Sequence, residues 1–390
     1  MTESAKLTQR YAASLMNTFG PPKLVLERGD GARVWDVDGK EYLDLLGGIA
    51  VNVLGHNHPA LVQAIVDQAP KLVHTSNFFT TTPQIELADR LIGLVGAAGK
   101  VFFTNSGTEA NEAAFKLTRR TGRTKIVAAR DGFHGRSMGA LALTWKPAYR
   151  EPFEPLPGDI EFVSYGDADA IAAAVDDQTA AVVLESMQGE AGAIVPPDGY
   201  LAAAREATSR HGALLWLDEV QTGIGRTGDW FGYQASGITP DIVTIAKGLG
   251  GGVPIGACIG IGAAGDLLQP GNHGTTFGGN PLATAVGLAV LDTIEKDDLL
   301  GRARALGERI RAAVRALPHV TDVSGRGLLV GIGLDADIAS AVHDAALASG
   351  LIINACGPAR LRLAPPLVLT DNEADRAVEI LANVLKDSGS

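Results

Sequence analysis

Short apolar runs closed by a polar or glycine residue recur through the middle of the chain, at 101–104, 125–129, 180–185, 213–218, 241–246 and 257–261. Such runs are too brief for a helix and continuous rather than alternating, so they read as strands buried on both faces. Helical patterns separate them from about 55 to 285, and that alternation predicts a mostly parallel sheet covered on both sides. Ahead of it, residues 23–28 and 32–36 flank Gly29-Asp30-Gly31, a hairpin turn signal. After about 286 the pattern changes to an amphipathic run over 306–317, two short strands around 325–334, a further helix and a strand at 360–363. Thr370-Asp371-Asn372-Glu373 then opens the last helix as a capping box. The organisation expected is an N-terminal segment, 1–54, packing with a small domain, a large domain over 55–285, and a small α+β domain over 286–390. Pro147, Pro152, Pro155 and Pro157 make 146–159 an excursion loop without regular helix.

At 390 residues the chain exceeds the size at which one hydrophobic core stops growing. A formal charge of −11 without a Lys/Arg cluster argues against a nucleic-acid partner. Cys258 and Cys356 have no metal-ligand spacing and fit a reducing compartment. His56 and His58 lack a third spaced ligand, so no metal site is expected. No apolar stretch approaches the roughly 20 residues that cross a bilayer, and residues 1–9 lack a leader pattern, so the expected location is cytoplasmic, away from membranes.

Three features carry candidate chemistry. The run 101–103 leads through Thr104-Asn105-Ser106-Gly107-Thr108-Glu109 into an alanine-rich helix. Ser106 and Glu109 form a capping-box pattern and Gly107 allows close backbone approach, so the helix start can cradle a phosphate. A second apolar strand ends in Asp218-Glu219, where open α/β sheets place their ligands. A third delivers Lys247 into Gly248-Leu249-Gly250-Gly251-Gly252. Burial lowers an amine's pKa and makes it a nucleophile toward an aldehyde. Each feature alone has a plain structural explanation: a capped helix, an acid paired with Arg226, a lysine reaching solvent. Together they match an aldehyde-phosphate cofactor, which needs an amine for its carbon, an anion site and a carboxylate for its ring nitrogen. Gly260-Ile261-Gly262-Ala263-Ala264-Gly265 spells a dinucleotide fingerprint, but Pro270 cuts the following helix short, so it is set aside.

As an ordered set, these residues with Gly55-His56-Asn57-His58-Pro59, Gly132-Phe133-His134-Gly135-Arg136, Asp218-Glu219-Val220-Gln221-Thr222-Gly223, Lys247-Gly248 and 274–281 resemble the class III aminotransferases of pyridoxal-phosphate (PLP) fold type I. The resemblance implies a seven-stranded, mostly parallel sheet in the large domain. It implies that Gly107 and Thr108 bind the phosphate, Phe133 stacks on the ring, Asp218 pairs with the ring nitrogen and Gln221 contacts the ring hydroxyl, with Glu219 and Val220 beside them. Lys247 would carry the cofactor covalently and move the substrate proton. Thr276 would reach the phosphate of a neighbouring subunit, making a homodimer with shared sites.

Arg136 and Arg362 speak to substrate, because guanidinium groups grip carboxylates bidentately and glutamate has two. The resemblance gives Arg362 the glutamate α-carboxylate, Arg136 a substrate carboxylate with Thr275 nearby, and Glu190 the resting partner of Arg362. Ser186 and Ala191 depart from the family's usual residues near that gate. Ile49 stands where ornithine-using members have a tyrosine that meets a free α-amine, which favours an N-acylated donor. The expected reaction moves the δ-amino group of N2-acetylornithine to 2-oxoglutarate. N-succinylornithine, N-succinyl-diaminopimelate, ornithine and 4-aminobutyrate remain alternative donors, and an aminomutase is the alternative of another class.

Overall fold

The computed structural model describes residues 2–387. A strand with two apolar faces can be kept dry only in the interior of a covered sheet, and the buried runs of the middle section assemble accordingly. Before them, β1 (Leu26–Asp30), β2 (Arg33–Asp36) and β3 (Glu41–Asp44) form an antiparallel meander. The central sheet is built from β4 (Gly99–Thr104), β5 (Lys125–Ala129), β6 (Asp159–Val163), β7 (Thr179–Glu185), β8 (Leu214–Asp218), β9 (Ile242–Ile245) and β10 (Gly256–Ile261). Their order is β4-β10-β9-β8-β7-β5-β6. Only β10 runs antiparallel, to both β4 and β9. Every residue of β7, β9 and β10 is buried, as continuous apolar sequence requires.

Register decides what meets at the sheet's working edge. Glu185 pairs with Asp218, and Asp218 with Thr244, so the last residues of β7 and β8 stand side by side, with Lys247 just beyond β9. In the C-terminal part, β11 (Val320–Arg326), β12 (Leu329–Leu334), β14 (Asn354–Gly357) and β15 (Arg360–Leu363) make an antiparallel sheet ordered β11-β12-β15-β14. The two-residue β13 (Leu351–Ile352) instead joins the N-terminal meander, pairing Leu351 with Leu43 in parallel. Arg362 sits in the middle of its sheet, opposite Gly331 on one side and Asn354 on the other.

Several local expectations are met atom by atom, and others shift. The Thr370 box closes in both directions, with the Thr370 amide donating to Glu373 (3.0 Å) and the Glu373 amide to the Thr370 hydroxyl (3.2 Å). In the first hairpin Gly29 and Asp30 belong to the strand, and the turn falls at Gly31, whose φ is +55°. The proline segment is not free of helix: Pro147–Arg150 makes one helical turn and Glu151–Phe153 a 3₁₀ turn. Proline excludes a helix interior but suits a first turn, where its missing N–H costs nothing. β6 does not read as an apolar run because at the sheet edge it alternates exposed and half-buried positions, with only Val163 fully buried. The 260–265 glycines turn sharply into a 3₁₀ segment, Gly262–Asp266. Among the described residues no helix is long and apolar enough to cross a membrane.

Gly47, Gly48, Ile49 and Ala50 have φ of 57°, 63°, 65° and 62°, one turn of left-handed helix. Its bonds run from Ala50 N to Leu46 O and from Val51 N to Gly47 O. Asp44 anchors the entry by accepting the Leu46 and Gly47 amides and pairing with His56 Nε2 at 2.9 Å.

The C-terminal sheet is held tightly to the helix Leu299–Arg315: a Cβ on Gly307 would lie 1.8 Å from the Gly327 carbonyl oxygen. Alanine is about 1 kcal/mol better than glycine in a helix, yet here backbone must move to admit it. Gly307→Ala is expected to destabilise the protein by about 1–3 kcal/mol, lowering the thermal midpoint in a calorimetric scan. An unchanged or raised midpoint would show that this contact is slack.

Candidate active site

Asp218 is 3% exposed and ends β8. Its Oδ2 accepts from His134 Nδ1 (2.7 Å) and Asn111 Nδ2 (2.8 Å), and its Oδ1 accepts from the Val220 amide (3.0 Å). Burial works against charge on His134, but the hydrogen bond and negative charge of Asp218 outweigh it and raise the imidazole pKa. Asn111 belongs to the helix Gly107–Arg119, and four residues after Gly107 it points back to the same side.

At the start of that helix the Ser106 hydroxyl accepts from the Glu109 amide (3.3 Å), while Glu109 Oε2 accepts from the Asn105 amide (2.7 Å). The box therefore closes one residue earlier than the usual pattern. Among the described residues the Gly107 and Thr108 amides have no acceptor, so two N–H groups at a positive helix end are available to an anion. A side chain at Gly107 is excluded, since its Cβ would lie 2.6 Å from Val220 Cγ1. The Thr108 hydroxyl is committed to the neighbouring loop, 2.6 Å from Ser137 Oγ.

Lys247 follows β9 with φ +41°, a strained setting for a side-chain residue of the kind that collects at functional sites. Burial lowers its pKa to about 8, although the carboxylates of Glu190, Asp218 and Glu185 pull the other way. It lines a cavity of about 450 Å³ with Gly107, Thr108, Phe133, Asp218 and Val220, a volume typical of small-molecule sites. An amine that is partly neutral near physiological pH, unsatisfied amides at a helix start and a buried carboxylate thus face one space. That donor set fits an aldehyde-phosphate bearing a basic ring.

Glu190 and Gln221 line the same cavity. Glu190 Oε1 lies 2.6 Å from Arg362 NH1, which also donates to Gln221 Oε1 (2.9 Å) and the Gly189 carbonyl (3.0 Å). Arg362 NH2 donates to Asn354 Oδ1 at 2.8 Å. Burial favours a neutral Glu190, but the charges of Arg362 and Lys247 win and lower its pKa. Arg136 has no carboxylate partner among the described residues and stacks its guanidinium 3.3 Å from the Tyr149 ring centroid.

Not every expected residue converges there. Glu219 points away, into a buried network with Thr222 Oγ1 (2.6 Å) and the amides of Gly232 (2.8 Å) and Tyr233 (3.0 Å). Thr276 is exposed and outside its own chain's cavity. Thr275 borders the cradle, its hydroxyl accepting from Asn105 Nδ2 (3.4 Å) and the Gly278 amide (3.2 Å). Arg226, the alternative partner for Asp218, is buried elsewhere and donates to the carbonyls of Leu328 and Pro365. His56 serves Asp44, and His58 caps the helix Pro59–Gln68. Sequence reasoning overlooked Asn111, the hold of His134 on Asp218, and Glu185. Glu185 closes an apolar strand just as Asp218 does, so the signal that selected one would have found the other.

The chain belongs to the class-III aminotransferases, whose family model matches residues 16–385. It is a pyridoxal-phosphate-dependent transaminase. It is 58% identical over 381 residues to the acetylornithine aminotransferase of Mycolicibacterium smegmatis, covering 97% of this chain and 98% of that one. Among solved structures, the ornithine aminotransferase of Toxoplasma gondii ME49 superposes with TM-score 0.95 at 31% identity, over 100% of this chain and 96% of the other. The acetylornithine aminotransferase of Elizabethkingia anophelis gives 0.88 at 33% identity, over 99% and 100%.

The depressed Lys247 pKa has a consequence for the cofactor-free protein. Below about pH 8 the folded chain holds a buried ammonium; above roughly 10.4, the ordinary lysine value, both folded and unfolded chains carry the neutral amine. The penalty is therefore full at low pH and fades as pH rises between those limits. Lys247→Met is expected to stabilise the cofactor-free protein at pH 7 by up to about 3 kcal/mol, with a gain that shrinks toward pH 10. Denaturant titrations of both proteins at several pH values measure this; a gain independent of pH contradicts the buried-ammonium account.

Proposed function

We propose that this chain transfers the δ-amino group of N2-acetylornithine to 2-oxoglutarate, yielding N-acetylglutamate 5-semialdehyde and glutamate, and that Lys247 and Asp218 are its central residues. The observation that carries this reading is the convergence of Lys247, the anchored Asp218 carboxylate and two free helix-start amides on one cavity. The choice of donor is supported by the name of the M. smegmatis relative and by Ile49, which offers a free α-amine no polar partner.

In this reading the Gly107 and Thr108 amides would hold the phosphate, Phe133 would cover the ring, Asp218 would meet its nitrogen, Gln221 its hydroxyl, and Lys247 its aldehyde carbon. Bound there, pyridoxal phosphate supplies an electron sink for the pair left when a substrate carbon loses its proton. Asp218 keeps its negative charge directed at the ring nitrogen because His134 and Asn111 fix one of its oxygens. Lys247 Nζ, easily neutralised at a pKa of about 8, would take that proton and return it. Arg136 receives a substrate carboxylate. Arg362 is covered by Glu190 while acetylornithine reacts, and glutamate's α-carboxylate takes the place of Glu190 in the second half of the cycle.

The same proposal includes a homodimer in which Thr276, with Thr275 behind it, completes the phosphate site of a second copy. Exposed Phe78, Phe79 and Phe277, at 91%, 71% and 60%, support a covered face next to that segment. It also keeps the division at 1–54, 55–285 and 286–390, with Arg362 brought to the large domain by the small one, and a cytoplasmic location.

Purified enzyme is expected to lose its aldehyde-form absorbance with glutamate and regain it with 2-oxoglutarate. In a donor panel, N2-acetylornithine is expected to give the highest kcat/KM against N-succinylornithine, N-succinyl-diaminopimelate, ornithine and 4-aminobutyrate; a higher value for another donor reassigns the substrate. Product formed from one amino acid without any acceptor would indicate an aminomutase. Arg362→Ala is expected to reduce kcat/KM for glutamate about 30-fold or more, the cost of losing a buried charged partner, with a much smaller loss for N2-acetylornithine. Equal losses would remove the assigned role of Arg362.

A further inference from the structure

Glu185 is an acid the mechanism above leaves unused, although it is buried, lines the cavity, and neighbours Asp218 in the sheet. Its two oxygens serve different loops. Oε1 accepts from the Phe133 amide at 3.0 Å, in the loop after β5, and Oε2 accepts from the Gly189 amide at 2.9 Å, in the loop after β7. Its own carbonyl is fixed by the Tyr165 hydroxyl at 2.9 Å. Gly189 in turn presents its carbonyl to Arg362 NH1, and the next residue is Glu190. One carboxyl group thus spans the backbone of the ring-covering residue and the backbone that holds the carboxylate-gripping arginine.

We propose that Glu185 is a positioning residue that braces the Phe133 loop against the Gly189-Glu190 loop, keeping Arg362 in place for glutamate and 2-oxoglutarate when Glu190 swings away. The brace rests on the roles proposed above for Phe133 and Arg362. When the Glu190 contact opens, Arg362 retains the Gly189 carbonyl, Gln221 and Asn354, and of these only the first belongs to the loop that Glu185 holds. Glu185 has no cationic side chain as a direct partner among the described residues. Burial raises its pKa to about 7 and the Asp218 charge adds to the rise, while the His134 charge and then the two amides work against it. Both of its oxygens are taken up by backbone donors on different loops, which suits a group retained for the span it makes.

The test is Glu185→Gln in the holoenzyme, where the amide keeps one acceptor and sets an NH₂ group against the other backbone N–H. KM for glutamate and for 2-oxoglutarate is expected to rise about tenfold, the scale of one lost charged hydrogen bond, with kcat and the KM for N2-acetylornithine within about threefold. The cofactor dissociation constant, from spectral titration, is expected to rise in the same variant. In an Arg362→Ala background Glu185→Gln adds no further rise in glutamate KM, because it acts through that arginine. Glu185→Asp, one methylene too short to span both loops, gives the same signature should the glutamine variant misfold. Gln188→Ala removes a separate tie between the same loops, Gln188 Nε2 to the Arg130 carbonyl at 2.7 Å, and leaves both constants unchanged. Wild-type constants in both Glu185 variants, or an undiminished effect without Arg362, overturn the brace. If Arg362→Ala itself shows no preference for glutamate, the reading of the site fails first.

Discussion

A single buried negative charge, that of Asp218, organises the surroundings of the cavity. A carboxylate at 3% exposure survives only if donors replace the water it has lost, here including an imidazole whose pKa it raises. Those donors come from three places in sequence, Asn111, His134 and Val220, and supplying them fixes the helix after β4, the loop after β5 and the turn after β8 relative to one another. The helix start that offers free amides is therefore positioned by the same contacts that hold the anion. Lys247 lies within the field of that anion and of Glu190, yet desolvation still dominates its ionisation.

A second charged cluster borders the same cavity and behaves differently. Arg362 and Glu190 satisfy each other directly at 2.6 Å, but the arginine is also held by a backbone carbonyl and two side-chain amides. Removing Glu190 from it leaves a buried guanidinium that still has partners, so the exchange of one carboxylate for another is inexpensive. Asp218 has no comparable alternative and stays put. One cluster is built for permanence and the other for replacement, which suits a site that holds a resident group and admits two different substrates in turn.

Much of this was legible in the chain itself, for identifiable reasons. Strands buried on both faces announce themselves as apolar runs, so the core of the central sheet and the strand-end positions of Asp218 and Lys247 could be read directly. β6 could not, because an edge strand shows only half of that signal, and the brevity of β13 hid its pairing with β3. The cradle was found through its capping residues, though the box closes on Asn105, a detail set by the tightness of the turn. Asn111 and His134 were passed over because each is an ordinary polar residue whose importance lies in a partner far away in sequence, whereas Glu185 carried the same strand-end signal as Asp218. Glu219, turned away from the cavity into a buried network, shows the converse limit, since adjacency to Asp218 says nothing about the direction of a side chain at a strand end.

The left-handed turn Gly47–Ala50 has a bearing on how such an enzyme can be improved. Val51, which follows it, lines the cavity, and Ile49, 47% exposed, holds a backbone conformation that β-branched residues resist. A glycine there would relieve roughly 1–2 kcal/mol, so any laboratory selection for heat tolerance alone will be drawn to this position. The gain in robustness would come two residues from the cavity-lining Val51, at the position read above as favouring an N-acylated donor, so screens that score survival alone would be blind to what the change does to substrate choice.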